Sequence, residues 1–150
     1  MLEKTVSFPN NMDIIEGDTL SCCELDDNVA KLVVYIDSTE CSLCHINAVN
    51  DIRSIILQNG KQDDIMLVVI VEPNSNNTLI LREQLESKSF AFDIYIDRYH
   101  QFCRENNFIS RTDSRLHTFL IDRTNKIVSV GNPAHGESLL KLFLDSARNI

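Results

Sequence analysis

Two short apolar runs, with a helical pattern between them, constrain the fold of this chain more than any other feature. Residues 32–36 and 65–71 are rich in β-branched and other apolar residues, as in strands buried in a parallel sheet. The apolar residues between them recur at helical spacing and predict an amphipathic helix that stops at Asn59-Gly60. These helix positions are Leu43, Ile46, Val49, Ile52 and Ile56. Two strands joined by such a helix must be parallel, with a right-handed crossover.

The next part of the chain continues this alternation of strands and helices. A second helix is predicted, with Leu81 and Leu85 on one face. Residues 90–96 then alternate between larger apolar side chains and others, which predicts a strand. A short helix is predicted over residues 99–106. This region therefore adds a second β-α-β crossover to the first.

The final part of the chain predicts a hairpin and a helix. Residues 118–122 and 126–130 have the composition of strands, and the turn at 123–125 makes them antiparallel neighbours. The last helix has its apolar positions at Leu139, Leu140, Phe143, Leu144 and Ala147. From residue 31 the predicted order is β-α-β-α-β-α-β-β-α. The fold class is therefore α/β, with a mixed central sheet and helices on both faces.

The chain length of 150 residues indicates one main domain. We assign residues 31–150 to this domain. Residues 1–30 are mixed and polar, with turn signals at Pro9-Asn10-Asn11 and Gly17-Asp18. We therefore interpret residues 1–30 as an N-terminal extension that adds a short strand or hairpin.

The charge and hydropathy of the chain exclude two classes of partner. The net charge is −8, and no basic patch with interleaved aromatic residues is present, which argues against binding to nucleic acid. No stretch approaches the roughly 18 consecutive apolar residues of a membrane span. The first four residues, Met-Leu-Glu-Lys, lack the apolar stretch of a signal peptide. The expected location is periplasmic or otherwise extracytoplasmic if a signal was removed, and cytoplasmic otherwise.

The candidate catalytic centre is the motif Cys41-Ser42-Leu43-Cys44 at the start of the first predicted helix. A C-x-x-C motif that follows a buried strand and opens a helix is typical of redox-active pairs. Unpaired backbone N–H groups and the helix dipole favour a negative charge there, so we expect a lowered pKa for the Cys41 thiol. Cys41 is the predicted nucleophile, and Cys44 is predicted to resolve the mixed disulfide.

Two other interpretations of this motif involve a bound group. His45 completes C-x-x-C-H, the attachment pattern for c-type haem, although a helix residue that tunes the thiolates fits the surrounding strands better. If the hairpin at residues 117–122 is aligned so that His117 lies near the cysteine pair, then Cys41, Cys44 and His117 together have the chemistry to hold a soft metal such as zinc, given a fourth ligand. The sequence shows no fourth ligand, so the primary hypothesis includes no cofactor.

The remaining cysteines are Cys22, Cys23 and Cys103, which makes five in all. The odd number leaves at least one thiol unpaired within a monomer. We expect the adjacent Cys22 and Cys23 to be small packing residues, with an additional redox or metal site as the alternative. Cys103 is expected to be a packed core thiol, and a disulfide from it to Cys22 or Cys23 is the alternative.

Three segments of the sequence together resemble a known superfamily. These are residues 33–45 with the C-x-x-C motif, the strand at 67–71, and the hairpin His-Thr-Phe-Leu-Ile-Asp at 117–122 followed by Lys126-Ile127-Val128. They resemble the thioredoxin superfamily and, more narrowly, its TlpA-like thiol–disulfide oxidoreductases. The predicted helix and strand between residues 75 and 96 fit the same branch. The resemblance covers about residues 30–148.

The resemblance implies a fold, an activity and a class of partner. Residues 31–150 would adopt the thioredoxin-like fold, and the Cys41–Cys44 pair would reduce or exchange protein disulfides. The implied partners are protein thiols or disulfides and an unidentified electron donor. Proteins of this branch are often bacterial and periplasmic.

Three positions depart from the family pattern. Glu40 stands where the family usually has an aromatic residue, and its carboxylate opposes thiolate formation at Cys41. Leu116 stands where the family has a cis-proline facing the cysteines, and Tyr35 stands where thioredoxin has a buried acid. Two hypotheses therefore stay open: a thiol–disulfide oxidoreductase, or a thioredoxin-fold binding or redox-sensor module with little turnover, with or without a bound metal.

Overall fold

A computed structural model of the chain describes residues 1–18, 24–39, 42–74 and 78–150. The strands are β1 (Asp13–Ile15), β2 (Ala30–Ile36), β3 (Ile65–Val71), β4 (Ile94–Ile96), β5 (Thr118–Ile121) and β6 (Ile127–Val130). The helices are α1 (Ser42–Gln58), α2 (Thr78–Glu86), α3 (Phe102–Glu105) and α4 (Glu137–Ala147). Two 3-10 turns lie at Ser114–Leu116 and Pro133–His135.

The strands form one mixed sheet in the order β1-β4-β3-β2-β5-β6. β2 and β3 are parallel, as are β3 and β4, because a helix joins the strands of each pair. β5 pairs antiparallel with β2 and with β6, and β1 pairs antiparallel with β4. The predicted α/β class and the predicted order of strands from residue 31 are confirmed.

Side-chain alternation along the strands divides the core into two layers. In β3, Ile65, Val69 and Val71 belong to one layer, and Met66, Val68 and Ile70 belong to the other. The first layer includes apolar side chains of α1, α2 and α4. The second includes side chains of α3 and of the N-terminal segment. Both faces of the sheet are therefore covered, which is why β3 carries no polar residue.

The first helix begins and ends as the sequence predicts. Ile46, Val49, Ile52 and Ile56 are all buried, so one face of α1 packs on the sheet. Gly60 has a positive φ of 65°, and the following residue, Lys61, donates its N–H to the carbonyl of Ile56 (3.0 Å). This capping pattern ends the helix at the predicted Asn59-Gly60 turn.

The strand predicted over residues 90–96 is shorter in the structure. Only Ile94–Ile96 forms a strand, although Phe90 and Phe92 are buried in the core. The carbonyl of Phe90 accepts from Asp18 N–H (2.7 Å), and the Asp93 carboxylate accepts from Gly17 N–H (2.8 Å). The alternation therefore reports burial correctly, but these backbone and side-chain groups bond to a loop instead of a neighbouring strand.

The helix predicted over residues 99–106 is also shorter, because Asp97 starts it late. The buried Asp97 carboxylate accepts from Gln101 N–H (3.0 Å) and Phe102 N–H (2.9 Å). His100, just before these donors, has a φ of 55°, which is outside the helical region. The α-helical turn is therefore confined to Phe102–Glu105.

The N-terminal segment reaches both edges of the sheet. Thr5 forms an antiparallel bridge with Lys126, and Ile127 N–H donates to the carbonyl of Lys4 (2.9 Å). Further along, β1 pairs with β4 at the opposite edge. Between these contacts, Ser7 exchanges hydrogen bonds with the buried side chain of Asn106. Residues 3–15 therefore run from β6 to β4 across the sheet.

Candidate functional site

The C-x-x-C motif lies at the junction between β2 and α1. Cys44 is exposed in the first turn of α1, which contains no acidic residue. Cys41 lies outside the described residues, as do Glu40, Cys22 and Cys23, so their predicted roles stay predictions. Cys44 therefore lies at the N-terminus of the helix that follows the parallel strand β2.

Cys44 lines a cavity of about 630 Å³ at this end of the sheet. Its apolar lining includes residues of β2 and of α1, such as Ile36 and Val49, and also Leu116, Val130 and Leu139. A second wall comes from residues 113–117, which hold the 3-10 turn Ser114–Leu116. His135 also lines the cavity, on the other 3-10 turn. The exposed sulfur of Cys44 therefore lies on a recess with mixed polar and apolar walls.

His117 lies on the same cavity as Cys44, as the alignment of the hairpin predicts. The side chain is buried, and its Nε2 lies 2.6 Å from the carbonyl oxygen of Ser110. Its ring meets the ring of Tyr35 edge-on, with centroids 5.0 Å apart. His117 therefore connects the cavity to the buried side chain of Tyr35.

The hydroxyl of Tyr35 donates a hydrogen bond to Glu72, whose side chain is fully buried (2.7 Å). Burial raises the pKa of Tyr35 far above its usual range, and the neighbouring Cys103 and Glu72 act in the same direction. Tyr35 therefore stays protonated at any ordinary pH. The acid that accepts this hydrogen bond, Glu72, is fully buried and directly follows β3.

A charged cluster that the sequence does not predict surrounds this acid. Arg111 and His100 both approach the Glu72 carboxylate, at 3.2 Å and 3.1 Å from Oε1. No local motif reveals the cluster, because Glu72 and Arg111 are separated by 39 positions. The one available signal is Glu72 itself, a carboxylate that directly follows a fully apolar strand and so is expected to need a partner.

No group of three or more His, Cys, Asp or Glu side chains is placed to hold a metal in the part of the chain that the structure describes. Cys44 and His117, two of the three proposed zinc ligands, do share a cavity. The third, Cys41, is outside the described residues. Within those residues, no helix is long and apolar enough to cross a bilayer.

Cys103 is a free, buried thiol, in agreement with its predicted packing role. Burial raises its pKa and outweighs the lowering effects of the Tyr35 hydroxyl and of Arg111. A raised pKa reduces the thiolate fraction, and burial blocks access to the sulfur.

We therefore expect iodoacetamide to leave Cys103 unmodified in the native protein at pH 8. The same thiol should react readily after unfolding in guanidinium chloride. Peptide mapping by mass spectrometry, after reduction of the protein, measures the two rates separately at Cys103 and Cys44. Native labelling of Cys103 as fast as that of the exposed Cys44 would contradict this assignment.

Comparison with solved structures gives the fold a name. A putative thiol:disulfide interchange protein, DsbE, from Chlorobium tepidum matches with a TM-score of 0.61 and 18% identity, over 98% of this chain and 99% of that one. The exposed lipoprotein thioredoxin Etrx1 from Streptococcus pneumoniae matches with a TM-score of 0.54 and 15% identity, over 83% and 87%. Copper-bound ScoI from Bradyrhizobium japonicum matches with a TM-score of 0.52 and 14% identity, over 83% and 87%.

The chain therefore has the thioredoxin-like α/β fold. At 18% identity or less, these three matches carry the architecture and not the chemistry. No family model matches the sequence, and no curated protein does.

Proposed function

We propose that this protein is a thiol–disulfide oxidoreductase of the TlpA-like branch, with Cys41 and Cys44 as its redox pair. The observation that carries the proposal is the placement of Cys44. It is an exposed cysteine in the first turn of the helix that follows a parallel strand, and it lines a cavity. The thioredoxin-like fold and the C-x-x-C spacing support Cys41 as its partner.

The proposed reaction transfers two electrons from the dithiol to a substrate disulfide. The Cys41 thiolate attacks one substrate sulfur, forms a mixed disulfide and expels the other sulfur as a thiolate. The Cys44 thiolate then attacks Cys41, which closes the protein disulfide and releases the second substrate thiol. An external dithiol donor restores the reduced pair by the reverse exchange.

The cavity beside Cys44 suits a polypeptide substrate. Its 630 Å³ and its apolar walls provide surface for the side chains that flank a substrate cysteine, while its open polar groups provide hydrogen bonds. Protein thiols or disulfides are therefore the proposed partners. The exposed lipoprotein thioredoxin among the similar structures supports an extracytoplasmic location in a bacterium.

A redox titration tests this function directly. The protein is equilibrated in glutathione or dithiothreitol buffers, quenched with a thiol reagent, and its free thiols are counted and located by mass spectrometry. We expect one two-electron transition confined to Cys41 and Cys44, at a potential below the glutathione poise. A pair that stays reduced in oxidising buffer would overturn the proposal.

A metal-binding or redox-sensor module is the second candidate. Three histidines, His45, His117 and His135, line the same cavity as Cys44, and copper-bound ScoI shares the fold. Thiolate and imidazole ligands together suit soft or borderline metals such as copper and zinc. In this case the pair would close only after a chelator removes the metal, and the same titration, repeated with and without chelator, distinguishes the two candidates.

A further inference from the structure

Glu72 places a buried carboxylate at the end of β3, in a position that the thiol chemistry does not use. Its side chain has no exposed surface, and its N–H donates to the carbonyl of Ile36 (2.8 Å). A carboxylate in such a setting is tolerated only when its oxygens are well paired. Its partners therefore show which parts of the chain it holds together.

Three side chains from three separate segments meet this carboxylate. The Tyr35 hydroxyl, on β2, donates to Oε2. Arg111 approaches both oxygens, with Nη1 3.2 Å from Oε1 and Nη2 3.4 Å from Oε2. His100 Nδ1, in the loop after β4, lies 3.1 Å from Oε1. The two-pronged contact of Arg111 fixes the orientation of its guanidinium group as well as its distance.

Arg111 does not itself line the cavity, but it lies just before residues 113–117, which form one wall of it. We call residues 110–117 together the 110–117 wall. The contact between His117 Nε2 and the Ser110 carbonyl ties its two ends together. Asp113 accepts from Arg115 N–H and so starts the 3-10 turn within it. Tyr35 contacts this wall through the His117 ring and contacts Glu72 through its hydroxyl. Glu72 thus contacts one end of this wall directly through Arg111, and the other end indirectly through Tyr35 and His117.

We propose that Glu72 and Arg111 are positioning residues that hold the 110–117 wall beside the redox pair, so that a substrate peptide meets a preformed surface. The inference rests on the proposed function for its substrate. Leu116 stands in this wall where the resemblance places a proline, and leucine lacks the fixed φ that a proline ring imposes. A buried carboxylate with a two-pronged arginine restricts the same segment from outside the cavity.

Substitution of Arg111 tests the effect on turnover. We expect Arg111→Gln to raise the KM for insulin reduction by roughly tenfold, because the wall no longer presents a fixed surface to the polypeptide. Reduction of a small disulfide, dithiobis(nitrobenzoate), should change by less than about twofold, since it needs little of the wall. Arg111→Lys should show a smaller rise in KM, because lysine keeps the positive charge but cannot make the two-pronged contact of a guanidinium group.

Arg82→Gln is the matched control. Arg82 also pairs with carboxylates, those of Asp13 and Glu86, but none of these three residues belongs to the 110–117 wall. Wild-type kinetics are expected for this variant. Equal KM values for insulin in Arg111→Gln and the wild type would overturn the positioning role.

Hydrogen exchange separates this proposal from the proposed function. The amides of Leu116 and His117 donate to the carbonyls of Asp113 and Ser114 within the wall (both 3.1 Å). Their protection should fall at least roughly tenfold in Arg111→Gln, with β3 amides unchanged. If the wild type reduces no disulfide but this change occurs, the function fails and the positioning role stands. Unchanged protection at both amides would overturn the positioning role whatever the turnover.

Discussion

Replacement of Cys44 by serine is expected to stop turnover and to leave the protein covalently attached to its substrate. Cys41 would still attack a substrate disulfide, but no second thiolate would be present to release it. The steady-state rate of insulin reduction should fall by at least roughly a hundredfold. Non-reducing mass spectrometry should then show a mixed disulfide between Cys41 and one insulin chain.

Cys41→Ser provides the complementary variant. It should lose activity to the same degree without forming the adduct, because the proposed nucleophile itself is absent. Cys103→Ser is the matched control, since that thiol is buried and free, and it should keep full activity. An adduct through Cys44 in Cys41→Ser would reverse the assigned roles, and full activity in both variants would refute the redox pair.

Replacement of Phe102 by alanine is expected to cause the largest loss of stability among the substitutions considered. Phe102 is fully buried, and its ring centroid lies 5.4 Å from that of Tyr35 and 6.1 Å from that of Phe8. Truncation of such a side chain removes buried apolar area and leaves a cavity, which costs about 3–5 kcal/mol. Domains of this size are stable by only about 5–15 kcal/mol, so chemical denaturation should show a markedly lower midpoint.

Tyr99→Ala is the control for this experiment. Tyr99 precedes the same helix but has 52% of its surface exposed, so its truncation should change the free energy of unfolding by less than about 0.5 kcal/mol. Phe102→Leu should fall between the two, because it refills part of the cavity. A loss below about 1 kcal/mol in Phe102→Ala would show that the second core layer collapses around the missing ring.

The sequence predicts those elements for which a short run of consecutive residues shows which faces are buried. The apolar run at 65–71 matches β3 residue for residue, because a strand covered on both faces has no reason to carry polar side chains. The residues over 90–96 are less informative. Burial of Phe90 and Phe92 produces the pattern of a strand, yet the Phe90 carbonyl accepts a hydrogen bond from the N-terminal loop and not from a neighbouring strand.

The candidate site also contains residues that the sequence predicts and residues that it does not. Cys44 is predictable because its motif and its helix start are adjacent in sequence. The Glu72–Arg111 pair is not predictable, since Glu72 indicates only that it needs a partner and no local pattern points to Arg111. Their pairing depends on the register of the whole sheet, which brings the end of β3 to the loop before β5. The role of Cys41 itself stays a prediction.

The course of the N-terminal segment across the sheet has a consequence for synthesis on the ribosome. Residues 3–15 emerge before their partners, which lie in β4 and around Lys126 and Ile127. Both edges of the nascent sheet therefore stay without their N-terminal partners until most of the chain has been translated. Unpaired strand edges can associate with other chains during this interval. The N-terminal residues therefore cover the sheet edges late in synthesis. Slow translation would lengthen the interval in which these edges can pair with other chains.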